Sequence, residues 1–122
     1  MNKSRMILWS AVADAASIVI FVAIGRKNHD EGEAASGIFR VAAPFLLALL
    51  VGWVIARAWK EPLSQRSGVL ISLTTIVLGM VLRKLVPDNG TATAFIIVAT
   101  VFLGTLLNGW RAFARNRLAR AH

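Results

Sequence analysis

Four apolar stretches, Met6 to Gly25, Val41 to Trp59, Gly68 to Val86 and Thr91 to Trp110, dominate the chain and leave little between them. The hydrocarbon core of a bilayer, roughly 30 Å thick, takes about 20 apolar residues in a helix, so each stretch is long enough to cross it. In lipid the backbone must satisfy its own polar groups, and a helix does so locally. The pattern predicts an all-α, polytopic integral membrane protein: four transmembrane helices in a single domain over residues 1–122, ending in a basic tail at 111–122. Composition agrees, with 57% of the 122 residues hydrophobic and 16% charged, against about 45–50% and about 25% in soluble domains. That balance argues against a disordered chain and against a soluble enzyme.

The first stretch follows Lys3 and Arg5, as the apolar part of a signal peptide would. It carries Asp14 in its middle, however, and runs into Arg26-Lys27-Asn28-His29 with no small-residue cleavage site. It therefore reads as a retained first helix.

The net charge of +8, from 14 Lys and Arg against 6 Asp and Glu, invites a nucleic-acid reading. The cations instead lie in short clusters between apolar runs, as topogenic charges do. With the N-terminus inside, nine of them (Lys3, Arg5, Arg57, Lys60, Arg66, Arg111, Arg115, Arg117 and Arg120) fall inside, and five (Arg26, Lys27, Arg40, Arg83 and Lys84) fall outside. Positive residues are retained on the cytoplasmic side, so both termini are expected there. Trp9, Trp53, Trp59 and Trp110 all fall at inner helix ends, where indole rings settle among headgroups.

A shift of 57 residues aligns Phe45-Leu46, Leu49-Leu50 and Gly52-Trp53 with Phe102-Leu103, Leu106-Leu107 and Gly109-Trp110, and Arg26-Lys27 with Arg83-Lys84. About 13 identities in about 49 pairs, against roughly four by chance, predict a duplicated two-helix hairpin. Two parallel repeats would then be related by a pseudo-twofold axis along the membrane normal. Polar residues unique to one half, Asp14, His29 and Arg40, mark where the halves have specialised.

Asp14 stands near the expected mid-depth of the first helix, where a carboxylate costs on the order of 2.5–3.5 kcal/mol to insert. Ser10 and Ser17 lie a turn to either side on the same face. Two readings are open. One is a proton-titratable or cation-binding carboxylate. The other is an internal hydrogen bond or ion pair that fixes packing, with Thr74, Thr75, Thr105 or Asn108 as partners. A second cluster, Arg26, His29, Arg40 and Arg83, lies on the outer side, where positive charge is least expected. Arg40 there opposes the dipole at the expected start of the second helix and so needs an acidic loop partner or a shared anion. The plainer reading is a solvated loop whose acids and bases neutralise one another.

Other landmarks are structural. Ala48, Gly52 and Ala56 recur every four residues, the spacing that lets helices approach closely; Gly79, and Gly104 with Thr100, are expected to do the same. Pro44 is expected in the first turn of the second helix. The basic segment Arg111 to Arg120 suits a short interfacial extension of the last helix on anionic lipid headgroups. The absence of cysteine excludes disulfides and thiolate metal sites, and no phosphate loop, metal-ligand spacing or Ser-His-Asp set occurs. No catalytic residues, metal, cofactor or nucleic-acid partner is expected.

Phe21-Val22-Ala23-Ile24-Gly25-Arg26 followed by His29, then Pro44-Phe45, Gly52-Trp53, Gly79 with Arg83, Phe95 and Trp110-Arg111 resemble the small four-helix bacterial membrane family known as domain of unknown function 3054. The resemblance runs from about Asp14 to Arg111 and implies a polytopic protein of a bacterial inner membrane without assigning an activity. The family pattern includes Asp14, Arg26, His29, Arg40 and Arg83. Small multidrug-resistance transporters share the helix count and a first-helix carboxylate, but the third stretch here lacks their aromatic substrate wall. Two functional classes follow. The first is a binder or carrier of a small ligand, ion or lipid headgroup, with Asp14 as a buried proton or cation site and Arg26, His29, Arg40 and Arg83 as an outward anion pocket; a transport path would need a homodimer. The second is a non-catalytic structural or accessory subunit of a membrane complex. A polar cavity reaching Asp14 would separate them.

Overall fold

The computed structural model describes the backbone of residues 2–29, 34–84 and 93–120, and the side chains of 2–24, 40–84 and 96–120. Four α-helices account for nearly all of it: α1 (Lys3–His29), α2 (Ala34–Ala56), α3 (Gln65–Lys84) and α4 (Thr93–Arg120). Three helical segments, Lys3–Ile24, Gln65–Lys84 and Ile96–Arg120, are long and apolar enough to cross a membrane. The apolar part of α2, Arg40–Ala56, is shorter.

The helices surround one core in chain order. Each packs against its sequence neighbours, α1 also meets α4, and the α2–α3 interface is the most extensive. Among the described residues no Cα atoms of the diagonal pairs α1–α3 and α2–α4 come within 8 Å of each other. Phe45, Ile18, Ile71, Leu103 and Leu107 fill the middle. Leu8, Val19, Leu50, Val54, Leu73, Val77, Val101 and Phe113 face outward. A helix apolar on nearly every side suits lipid outside and packing inside.

Small residues close the α2–α3 interface, as the four-residue spacing predicts. Ala48, Gly52 and Ala56 are buried, and a Cβ on Gly52 would lie 3.3 Å from the Ile71 Cα and the Thr74 Cβ. At Gly79 a Cβ would come within 2.4 Å of Cδ1 of Phe45, whose ring is fully enclosed. Gly79→Ala should therefore cost about 1–3 kcal/mol by overpacking, measurable as reversible unfolding in mixed micelles; a change below about 0.5 kcal/mol would show that the ring can yield. Gly104 does not act this way: nothing lies within 4 Å of a Cβ built there, and Thr100, exposed, donates to its own helix at the Ile96 carbonyl.

Several helix ends differ from the sequence expectation. α2 stops at Ala56, short of Trp59, because Arg57 adopts φ 53°. The Arg57 N–H then reaches the Val54 carbonyl at 3.2 Å and the Ala58 N–H reaches the Trp53 carbonyl at 3.0 Å. This is the paired closure of a left-handed helix stop, normally made by glycine. Ser64 caps α3 by accepting from the Ser67 N–H at 3.0 Å. At its other end α2 begins at Ala34, so Pro44 lies in the helix interior rather than the first turn, where its ring nitrogen cannot bond the Arg40 carbonyl. Arg40 is likewise six residues in, too far for a strong dipole penalty. α4 continues to Arg120, so the basic segment 111–120 extends the helix, as the sequence leads one to expect.

Candidate functional site

The most polar point in the bundle is built around Asp14. Its first-helix position is fully buried, and so is Arg111 on α4. The two meet in a fork-to-fork pair: Arg111 Nη1 donates to Oδ1 and Nη2 to Oδ2, each at 2.7 Å. Two indoles complete the carboxylate. Trp110 Nε1 donates to Oδ1 and Trp53 Nε1 to Oδ2, each at 2.8 Å. A carboxylate offers about four lone-pair positions, and all four are filled by the chain's own donors.

Arg111 is held as closely. Its Nε donates to the Pro62 carbonyl at 2.8 Å and Nη1 also to the Leu107 carbonyl at 3.0 Å. The guanidinium stands 4.6 Å from the centre of the Trp110 ring, a stacking geometry favourable to arginine. Space for its stem comes from Gly68 on α3, where a Cβ would lie 3.1 Å from Arg111 Cδ and 2.5 Å from Asn108 Oδ1. Asn108 in turn donates to Ser72 Oγ at 2.9 Å, and Ser72 donates to the Gly68 carbonyl at 2.6 Å. The constellation thus joins all four helices and the α2–α3 turn. A planar, bidentate, charge-assisted pair is the strongest ordinary side-chain contact, and burial leaves little water to compete with it.

The sequence expectations are met unevenly. Asp14 is buried, but its partners are Arg111, Trp53 and Trp110 rather than Thr74, Thr75, Thr105 or Asn108. Thr75, although buried, has no hydrogen-bond partner for its hydroxyl. Arg111 does not face lipid headgroups but the bundle interior. Trp53 and Trp110 are half-buried ligands of the carboxylate, whereas Trp9 and Trp59 are exposed, as anchors would be. Through Trp53 in the last turn of α2 and Arg111 on the Pro62 carbonyl, Asp14 is tied to the 57–64 turn.

Arg40 and Arg83 sit toward the opposite end. Arg40 is exposed; Arg83, in the last turn of α3, is half-buried and engaged in an interaction. Arg40 lies thirteen positions along α2 from the Asp14 ligand Trp53, about 20 Å of helix. Asp14 and Arg40 are therefore not parts of one pocket. The side chains of Arg26 and His29 lie outside the described residues.

The 57–64 turn is gripped by cations. Besides Arg111 on Pro62, Arg115 donates to the Leu63 carbonyl at 2.6 Å, Arg66 to the Ala56 carbonyl at 2.9 Å, and Lys3 to the Lys60 carbonyl. Four of the cations that read as topogenic charge in the sequence thus also bond backbone carbonyls here, one of them, that of Ala56, left open by the end of α2. Among the described residues no group of His, Cys, Asp and Glu could hold a metal ion.

The family model described as "Protein of unknown function (DUF3054)" matches residues 11–114, which include Asp14, Trp53, Trp110 and Arg111. No curated protein and no solved structure matches the chain.

Proposed function

The chain belongs to the DUF3054 family of proteins of unknown function, and for it we propose a non-catalytic structural role, as an accessory subunit in a bacterial cytoplasmic membrane. The observation that carries this reading is the saturation of Asp14. A carboxylate that binds and releases a proton or cation must exchange ligands, and here each oxygen is held by one indole and one guanidinium N–H. Charged groups within a membrane are costly and persist when paired; the pair is read as a lock between helices. The described cavity of about 260 Å³ is lined by Ala56, Arg57, Lys60, Glu61, Ser64, Arg66 and Ser67 and does not include Asp14.

Both termini and the 57–64 turn are assigned to the cytoplasmic side, on the nine-to-five distribution of cations. The duplication of a hairpin draws support from the tryptophans: Trp53 and Trp110, equivalent under the 57-residue shift, donate to opposite oxygens of one carboxylate. The carrier reading, with Asp14, Arg26, His29, Arg40 and Arg83 around a small anion, ion or lipid headgroup, has no such contact in its favour among the described residues.

Reconstitution tests this reading. In proteoliposomes holding a pH-sensitive dye, an imposed proton or sodium gradient should decay no faster than in protein-free vesicles. A decay rate that rises in proportion to the protein reconstituted would overturn it.

A further inference from the structure

The end of the bundle that holds the 57–64 turn carries a feature the structural role does not use. Where α2 stops and α3 begins, a cleft of about 260 Å³ opens among Arg57, Lys60, Glu61, Ser64, Arg66 and Ser67. It is close to the lower limit of ordinary ligand pockets, about 300 Å³, a size for a headgroup rather than a large molecule. Three cations and one carboxylate line it. Arg66 is oriented by its bond from Nη1 to the Ala56 carbonyl. Arg57 and Lys60 are exposed, and neither side chain makes a hydrogen bond among the described residues. Ser64 and Ser67 are bonded to each other and, through Ser67, to the Glu61 carbonyl, so the floor of the cleft is built. The positive end of the α3 dipole lies at the same place.

Two further observations bear on what enters it. Arg57 occupies a left-handed conformation in which glycine would be at no steric cost, so a cation is present where helix termination alone does not call for one. Within a turn of the cleft residues along α2 and α3, Val54, Ile55 and Val69 are exposed, so apolar surface begins close to where the charges end. Cations at the rim of an apolar surface match an anionic group attached to a hydrocarbon chain.

We propose that this cleft binds a phosphate group, through Arg57, Lys60 and Arg66, with the phosphate of an anionic lipid headgroup and free phosphate as its two sources. Arginine suits phosphate through its planar fork and lysine as a point charge. Glu61 at the rim disfavours further negative charge, so one phosphate is the expected load.

The full-length protein in mild detergent, titrated with a short-chain phosphatidylglycerol and read by native mass spectrometry, tests the site. The variant Arg57→Gln/Lys60→Gln removes two cations yet none of the side-chain hydrogen bonds. It should bind the lipid roughly 30-fold more weakly, about one decade and a half for two basic groups. Arg117→Gln/Arg120→Gln, with the same net charge, should lose less than threefold; circular dichroism checks that both fold. Equal losses in the two variants would overturn the site in favour of diffuse charge, and so would no loss in the first. Displacement of the lipid by millimolar inorganic phosphate supports the free anion as the source, whereas lipid that resists that challenge supports the headgroup.

Discussion

Asp14→Asn should destabilise the bundle by about 3–5 kcal/mol, the range for breaking a buried ion pair from one side. The substitution keeps the volume of the side chain but removes the charge opposite a fully buried guanidinium. It also replaces one acceptor oxygen by an amide nitrogen, so one indole N–H and one guanidinium N–H lose their acceptor together. Leaving buried donors unpaired costs about 1–3 kcal/mol each, which accounts for the range independently of the charge. Reversible unfolding in mixed micelles, followed by tryptophan fluorescence, measures the loss. A change below about 1 kcal/mol would mean that the carboxylate is not a principal tie.

Arg111→Met should cost a similar 3–5 kcal/mol by a different route. Methionine fills the space of the stem and keeps the passage beside Gly68 closed, so packing changes little. Asp14 then keeps its two indole donors but loses both guanidinium bonds, and the Pro62 carbonyl loses its donor. Unlike Asp14→Asn, this variant releases the 57–64 turn directly. Amide exchange at Lys60 and Ser64, whose N–H groups bond within that turn, should accelerate more in Arg111→Met than in Asp14→Asn. Equal acceleration in both would indicate that the turn is held by Arg115, Arg66 and Lys3 without Arg111.

The helices themselves are legible in the sequence because lipid leaves an apolar stretch few alternatives. Their ends are less so. The stop at Ala56 depends on Arg57 taking a conformation that sequence reading assigns to glycine. The early start of α2 places a residue that reads as a first-turn proline inside the helix, and with it Arg40, which the pattern puts at the helix start. Burial of Asp14 follows from its isolation in an apolar run, but its partner lies 97 residues away. Arg111 reads as the first cation after a transmembrane stretch, indistinguishable by pattern from Arg115 or Arg117. One signal pointed toward the site: the 57-residue shift pairs Trp53 with Trp110, and the residue after Trp110 is Arg111. Repeated indoles read as membrane anchors, and only their convergence in space identifies them as ligands.

The lock between α1 and α4 is tested most directly by a double-mutant cycle from Asp14→Asn, Arg111→Met and the two combined, all measured by unfolding in the same micelles. Each single substitution leaves the other partner buried without its mate, while the combination removes both charges at once. The double variant should therefore be no less stable than the weaker single variant, a coupling of about 3 kcal/mol. Additivity of the two losses to within about 0.5 kcal/mol would contradict a lock and return Asp14 to the groups whose role lies outside the bundle's own packing.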